Sequence, residues 1–464
     1  MEKSYDIAII GGGTGGYVAA IRARQLGFTV ALIEKDKLGG TCLHNGCIPT
    51  KSLLNTSNLI KTANQLSEFG ISEVLNFNYE KIIDKKNKTV DTLYNGVSSL
   101  MKKHQIDVYY GHGRILGPSI FSPMAGTIAV ETENDSIIIK NDYVIIATGS
   151  KPIELDFLPF DGEFVLSSKE FLSQKKLPKS VGIIGGGVIG LELASILSNL
   201  NVDVTIIEGS QNIIPNEDKD VIRTLKKHLE QSNVKITTDF KISNQTVTVD
   251  DGVSIKYNDE TLNFEQVIVA IGRKANIDDI GLNNTKAKFT TYIETNEFYQ
   301  TADSHIYAIG DVLNTYQLAH VASKEGIIAV EHIKGLNPIT LNYDTVPRCI
   351  YTNLEVGVVG PTEEQLKQKG IEYNVSVLPL QAVGKAIIEN GGEGFVKLIT
   401  DKDNMLLGAS IVGPNATEII NELSLASFLN SSVEELYNSV HAHPSISEGI
   451  MESALLIDER GIHF

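Results

Sequence analysis

"YDIAIIGGGTGG", residues 5–16, is the stretch on which the fold turns. An apolar run breaks at Gly11-x-Gly13-x-x-Gly16. A helix-like segment, "YVAAIRARQLG", follows, and a second apolar run, "TVALIEK", ends near Glu34. The pattern returns at "SVGIIGGGVIG", residues 180–190, with Gly185, Gly187 and Gly190. "LELASILSNL" and "DVTIIEG" come next, and the acid is Glu208. The spacing repeats too: 34 − 16 = 18 and 208 − 190 = 18. A lone Gly-x-Gly-x-x-Gly is a common turn, but strand, turn, helix, strand and terminal acid in order make a dinucleotide cradle. The first glycine makes the tight turn and the second lets the backbone approach a pyrophosphate. The third lets helix pack on strand, while the helix N-terminus faces the phosphates. The acid accepts hydrogen bonds from ribose hydroxyls. Glu208 would repel a 2′-phosphate, and Gly209, Ser210 and Gln211 offer no cation, so the second cradle is expected to prefer NAD to NADP.

The bulk numbers frame this reading. A chain of 464 residues is too long for one core and suggests about three domains. Hydrophobic content of 42% and charged content of 21% describe a globular protein. A net charge of −17 argues against nucleic acid or a membrane surface as partner. No apolar run reaches the roughly 18 residues that a membrane helix needs. The start, "MEKSYDIAII", enters a strand without a basic region or cleavage site, so a cytoplasmic protein without a signal peptide is expected.

Two of only three cysteines stand in "GGTCLHNGCIPTK", residues 39–51; the third is Cys349. Three cysteines are too few for a disulfide scaffold. A metal site usually needs four ligands, and Cys42, Cys47 and His44 make three, so the pair reads as redox-active and no metal is expected. Pro49 suits the first turn of a helix that continues through "KSLLNTSNLI". Cys47 would then sit at a helix N-terminus, where the dipole favours thiolate. Gly39 and Gly40 permit close backbone approach to a flat ring or a phosphate.

Three further runs end in small or polar residues: "DYVIIATGS" at Gly149, "QVIVAIGR" at Gly272 and Arg273, and "TADSHIYAIGD" at Asp311. Such strand exits are where open α/β sheets bind ligands. From about residue 347 the texture changes. "CIYTNLEVGVVG" and "EGFVKLITD" read as strands, and "PTEEQLKQKG" and "ATEIINELSLASFL" as helices, with no glycine fingerprint. The segment closes with "HAHPSISEGIMESALL", holding His441, His443 and Glu448, which alone would pass for exposed polar residues at a helix start.

Taken together, "GGTCLHNGCIPTK", both fingerprints, "YAIGD" and "HAHPSISE" resemble the flavoprotein disulfide reductase family, the class I pyridine nucleotide-disulfide oxidoreductases. The resemblance runs through essentially the whole chain. It is nearest to the members that oxidise dihydrolipoamide for 2-oxoacid dehydrogenase or glycine cleavage complexes.

It implies an α/β fold with two Rossmann-like dinucleotide-binding domains and a C-terminal α+β dimerisation domain. The expected division is 1–149 for the first part of the FAD domain, 150–275 for the NAD domain, 276–346 for a central part completing the FAD site, and 347–464 for the interface. FAD would be held by Gly11, Gly13, Gly16, Glu34, Thr41, Lys51, Gly113, Gly149, Asp311 and Ala319. NAD would be held by Gly185, Gly187, Val188, Gly190, Glu208, Ile242 and Gly272, with Val188 at the position that gates nicotinamide access. Lys51 and Glu192 match an ion pair beside the flavin ring.

The resemblance also implies a mechanism. A dihydrolipoamide sulfur attacks Cys42 of a Cys42–Cys47 disulfide, and His443, held by Glu448, takes the thiol proton. Cys47 then passes electrons to the flavin, which gives hydride to NAD⁺. Imidazole titrates near working pH, which suits the base. The His–Glu pair would come from the partner subunit of a homodimer, and the substrate would be borne by the lipoyl domain of an acyltransferase. No separate lipoyl domain is expected before the first strand. Competing readings are a glutathione-reductase-like enzyme running from NADPH, which Glu208 opposes, and a redox-inactive flavoprotein scaffold, which the full set of cysteines, Lys51, Glu192, His443 and Glu448 opposes. A mercuric reductase would need a C-terminal thiol pair, which "LLIDERGIHF" lacks. One departure stands out: Asn353-Leu354-Glu355 follows "YT" where the family often has Pro-Glu, a change expected to relax a turn.

Overall fold

The computed structural model describes residues 3–71, 76–118, 126–133 and 135–463. The first apolar run forms β1 (Lys3–Ile10), leading into α1 (Thr14–Gln25) and β2 (Val30–Glu34). Ile7, Ala8 and Ile9 are all fully buried, because β1 is covered on both faces, and this explains the unbroken apolar run. The cysteines lie on α2 (Gly40–Asn45) and at the head of α3 (Cys47–Asn64). The long α4 (Tyr79–Lys103) returns the chain to β3 (Asp107–Tyr110). A meander of β4 (His112–Ile115), β5 (Ile128–Glu131) and β6 (Ser136–Ile146) completes the sheet in the order β3-β2-β1-β6-β5-β4. Strands β3, β2, β1 and β6 run parallel.

A short β7 (Ser150–Pro152), β8 (Val165–Leu166) and α5 (Ser168–Ser173) lead to the second copy. It consists of β9 (Ser180–Ile184), α6 (Val188–Asn199), β10 (Asp203–Ile207), α7 (Lys219–Gln231) and β11 (Val234–Thr237). An antiparallel excursion, β12 (Val247–Val249), β13 (Val253–Tyr257) and β14 (Glu260–Phe264), precedes β15 (Gln266–Val269). The second sheet runs β11-β10-β9-β15-β8, all parallel. The chain then turns back: β16 (Arg273–Ala275) pairs antiparallel with β7, so entry to and exit from this unit lie side by side.

Residues 276–346 build no sheet of their own among the described residues. Their strand β17 (Ile306–Ala308) adds to the first sheet beside β6, and α8 (Ala319–Ile333) packs on α1. The C-terminal unit is an antiparallel sheet of β18 (Arg348–Ile350), β19 (Val356–Val359), β20 (Asn374–Pro379), β21 (Phe395–Thr400) and β22 (Leu406–Val412), in the order β18-β19-β22-β21-β20. Between these strands lie α9 (Glu363–Gln368) and α10 (Gly384–Asn390). Helix α11 (Ala416–Phe428) covers β19 and β22. After α12 (Val433–Asn438), α13 (Glu448–Ile457) covers β20 and β21. Among the described residues, no helix is long and apolar enough to cross a membrane.

Candidate active site

The two fingerprints fold into the same local object. Gly11 and Gly185 lie at φ +106° and +112°, and a Cβ on either would strike the carbonyl oxygen of Ala147 at 2.2 Å or Ala270 at 2.4 Å. A Cβ on Gly16 or Gly190 would strike the carbonyl of Gly11 at 1.8 Å or Gly185 at 2.1 Å. These first and third glycines are therefore demanded by the chain itself. The second glycines are not: a Cβ on Gly13 would meet only Gly40 Cα at 3.8 Å, and one on Gly187 meets nothing.

The terminal acids fold back onto the turns. Glu34 accepts the N–H of Gly12 at 2.7 Å and of Asp36 at 2.8 Å. Glu208 accepts the N–H of Gly186 at 2.6 Å and of Ser210 at 2.7 Å. Each carboxylate keeps lone pairs for ribose hydroxyls. Gly12 and Gly186 were not singled out by the spacing, yet a Cβ there would crowd Leu38 at 2.8 Å or Ile213 at 2.9 Å. The signal was present as the middle glycine of each "GGG".

The redox loop is built on the first cradle. Gly39, at φ +104°, bridges to Gly13, and a Cβ on Gly40 would lie 2.7 Å from Gly13 Cα. The double glycine thus serves approach to the cradle backbone. His44 lies between the cysteines but bonds the carbonyl of Leu38 at 2.8 Å and meets the Tyr94 ring edge-on. Cys42 and Cys47 stand as thiols. The Cys42 thiol donates to the Cys47 sulfur, which is the largest cause of a Cys47 thiol pulled down to about 7; Lys51 adds to the lowering, while burial and Glu192 oppose it. The same bond, with burial, pushes the Cys42 thiol well up. Cys47 is the first residue of α3, where the helix N-terminus favours a thiolate.

Lys51, one turn along α3, donates to both carboxylate oxygens of Glu192 at 2.8 and 2.7 Å. Glu192 is 4% exposed, and burial pushes its carboxyl upward against Lys51 and the Tyr351 amide. Tyr351 was not foreseen as a site residue. Its N–H donates to Glu192 at 3.1 Å and its ring lies under Lys51 Nζ, 4.5 Å from the centroid. Cys349 lies beside it, its thiol pushed up by burial to about 11. The departure at 353–355 is not a relaxed turn. Leu354 is a buried core residue, Asn353 exchanges two amide hydrogen bonds with Asn199, and Glu355 accepts from the backbone and hydroxyl of Thr417.

Asp311 sits in a short 3-10 turn, Gly310–Val312. It accepts the hydroxyl of Ser150, to which Arg273 donates from its Nε at 2.8 Å. Burial lowers the Arg273 guanidinium, opposed by the charges of Asp311 and Cys47, so strand exits from both sheets meet near the redox pair. Beneath the turn, buried Glu325 accepts Gly310 N–H at 2.6 Å and Tyr343 OH at 2.7 Å.

His443 Nδ1 lies 2.8 Å from Glu448, whose other oxygen accepts Ser445 N–H. Burial raises the Glu448 carboxyl, but Ser445 and His443 outweigh it and hold the group below its usual range. The imidazole side chain is 80% exposed. His441, in contrast, is tied down by Glu422 at 2.8 Å.

Of the remaining expected contacts, Gly149 (φ +71°) and Gly272 (φ +125°) lie in the loops beyond β6 and β15, Ala319 begins α8, and Val188 begins α6 with its side chain largely exposed. Thr41 is exposed on α2. Gly113 has a packing reason of its own, since a Cβ would press on Ile33 and Ile10 at 3.0 and 3.1 Å. Ile242 packs against the core behind β13. The residues fit a flavin dinucleotide in the first cradle. A Cβ on Gly13 would meet only an ordinary contact, the α1 N-terminus has no side-chain cap, and Thr148 Oγ1, beside Gly149, and Gln317 Nε2, two residues before Ala319, are buried without a partner in the chain. Gly187 and the side-chain-uncapped α6 N-terminus fit a second dinucleotide equally.

Comparison with known proteins agrees with this geometry. Residues 5–326 match the pyridine nucleotide-disulphide oxidoreductase family and residues 346–454 its dimerisation domain. A dihydrolipoyl dehydrogenase of Bacillus subtilis (strain 168) is 47% identical, with 100% of both chains covered. One from Halobacterium salinarum is 36% identical over 98% of this chain and 96% of its own. Among solved structures, LpdA from Mycobacterium tuberculosis shares the fold with a TM-score of 0.90 at 24% identity, covering 97% of this chain and 99% of that one. The HOCl-induced flavoprotein disulfide reductase RclA from Escherichia coli, solved as a Cu(II) complex, gives 0.87 at 25% identity over 98% and 99%. With two dinucleotide cradles of one design, a dithiol poised between them and full-length identity of this order, the chain belongs to the dihydrolipoyl dehydrogenase family of flavoprotein disulfide oxidoreductases.

Proposed function

We propose that this chain, as a homodimer carrying FAD and using NAD⁺, oxidises the dihydrolipoamide borne by the lipoyl domain of a 2-oxoacid dehydrogenase or glycine cleavage complex. The observation that carries the reading is the Cys42–Cys47 pair, hydrogen-bonded at the head of α3 with Lys51–Glu192 behind it. In the oxidised chain the two sulfurs share a disulfide. A substrate thiol attacks Cys42, the S–S bond breaks, and Cys47 leaves as thiolate. The proton of the attacking thiol goes to His443 of the partner subunit. The second substrate thiol displaces Cys42 from the mixed disulfide and closes the lipoamide ring, and its proton goes to Cys42. The products are a Cys42 thiol and a Cys47 thiolate, the protonation pattern that the hydrogen bond favours. FAD, when bound, supplies the two-electron chemistry that links the dithiol to NAD⁺.

Gly11, Gly13, Gly16, Glu34, Asp311 and Ala319 would hold FAD, and Gly185, Gly187, Gly190 and Glu208 would hold NAD. Residues 1–149 with 276–346 form the flavin side, 150–275 the NAD side, and 347–464 the subunit interface. The exposed apolar residues Leu425 and Phe428 of α11, Leu429 just past its end and Val440 near His443 supply a surface for the partner. A dithiol that must return to thiol form at every turnover suits a reducing compartment, and the cytoplasm is the proposed location. The test is a steady-state assay of dihydrolipoamide with NAD⁺ beside glutathione disulfide with NADPH. Turnover with the first pair alone is expected; equal or faster turnover with the second overturns the reading.

A further inference from the structure

Two polar rungs join α3 to α6, and both are completed by the link between β18 and β19. In the first, Lys51 of α3 meets Glu192 of α6, and Tyr351 completes it with its amide on Glu192 and its ring under Lys51. In the second, Asn199 of α6 donates to Asn58 at 3.0 Å and Ser57 at 3.2 Å on α3, and Asn353 completes it with the reciprocal amide pair at 2.8 and 2.9 Å. The rungs lie two turns apart on both helices, since 58 − 51 = 7 and 199 − 192 = 7. Glu192 and Asn199 are both buried, so neither rung is a surface accident.

We propose that Tyr351, a residue of the C-terminal unit, is a positioning residue of the redox centre: it fixes the Lys51 ammonium over its ring and against Glu192, facing Cys47, while the Asn353–Asn199 pair holds Tyr351 in register. This rests on the reading of Cys42–Cys47 as the redox pair.

An ammonium has three N–H donors. Lys51 directs donors to both oxygens of Glu192, and the negative face of the Tyr351 ring attracts the cation. The charged and titratable groups that act on Cys47 are Cys42 from α2, Lys51 on its own helix, Glu192 from α6 and Arg273 from β16, with Cys349 beside Tyr351. Lys51 lowers the Cys47 thiol and Glu192 raises it, so a Lys51 free to swing away leaves the carboxylate nearer the sulfur without its counter-charge.

The test uses the flavin-loaded protein reduced by two electrons without oxygen. The long-wavelength absorbance that a Cys47 thiolate gives against bound flavin is titrated with pH. Tyr351→Leu is expected to move the midpoint up by roughly half a unit to one unit, the size a partly desolvated cation–π contact allows. Tyr351→Phe, which keeps the ring, is expected to keep the midpoint. Should the leucine variant fail to load flavin, Tyr351→Met removes the ring face with a longer, unbranched side chain that adapts to the space, and is read in the same way. An unmoved midpoint in the ringless variant, or an equal shift in Tyr351→Phe, overturns the assignment. An unmodified holoprotein with no such band at any pH overturns the redox reading itself and this proposal with it.

Discussion

The Glu208 carboxylate accepts backbone N–H groups from Gly186 and Ser210, which fixes its charge at the exit of β10. NAD⁺ should therefore outperform NADP⁺ by a wide margin in kcat/KM. Glu208→Gln combined with Ser210→Arg should narrow the gap, and equal values for the unmodified protein would refute the assignment. The sulfurs divide their work in a similarly local way. Cys42→Ser and Cys47→Ser should each abolish lipoamide turnover, whereas NADH oxidation with an artificial acceptor should survive, because that route bypasses the dithiol. The sign of the pH dependence follows from Cys47. Its thiol is pulled down to about 7, so the thiolate of the reduced protein is present above that value and lost as pH falls through it. The long-wavelength absorbance should accordingly rise through neutral pH, where a free thiol would titrate about one and a half units higher. At this scale much was readable from sequence: the glycines, both acids and the cysteines carry spacing that few other chemistries need. Gly12, Gly186 and Tyr351 were harder, because the first two act through the side chains of Leu38 and Ile213 and the third through a helix 159 residues away.

Helix α7 is the element that binds the second dinucleotide unit to the C-terminal unit. Lys397 on β21 is completely buried and donates to Asp218 and Asp220, at the head of α7, both at 2.8 Å, and to Glu363 on α9 at 2.5 Å. These three carboxylates could converge on a metal ion, but the lysine ammonium stands among them. His228, near the other end of α7, reaches Glu393 at 2.9 Å, and Arg348 reaches Glu217 just before the helix. Lys397→Met would leave Asp218 buried without its cation, while Asp220 keeps Arg223 and Glu363 keeps Lys219; breaking such a cluster costs about 3–5 kcal/mol. Urea unfolding should report a loss of that order, and a change within ~0.5 kcal/mol would show that the cluster is not structural. None of this could be read from "EGFVKLITD", which signals a strand and nothing more. The two aspartates lie 179 and 177 residues from Lys397, and no local pattern reaches so far. The same holds at Leu354, where the structure shows core packing beside an amide pair.

At the scale of the whole molecule, the proposed base and the thiol sit on surfaces built by different units, and the His443 side chain is 80% exposed. Removal of a general base costs about 10²–10⁴ in rate, so His443→Gln should lose on that order and Glu448→Gln less, since it orients the ring. Mixed dimers decide whether the site is shared. A Cys42→Ser chain combined with a His443→Gln chain should regain part of the activity, because one of the two composite sites then holds both native groups. Hybrids that form without any gain would place base and thiol on one chain. The motif "HAHPSISE" announced the histidine and its acid, but the partner surface proposed to receive them leaves no spacing in a single chain.

The exposed imidazole has a consequence for dilution. If each subunit lends its His443 to its neighbour, a solitary subunit keeps both dinucleotide cradles and its own cysteines but has no base for the substrate thiol. As subunit concentration falls below the dimer dissociation constant, lipoamide turnover per chain should drop, while NADH oxidation by an artificial acceptor falls less. The ratio of the two rates then becomes a gauge of assembly, readable in a crude extract without separating dimers from monomers. Lipoyl groups would be oxidised only where enough chains accumulate to pair.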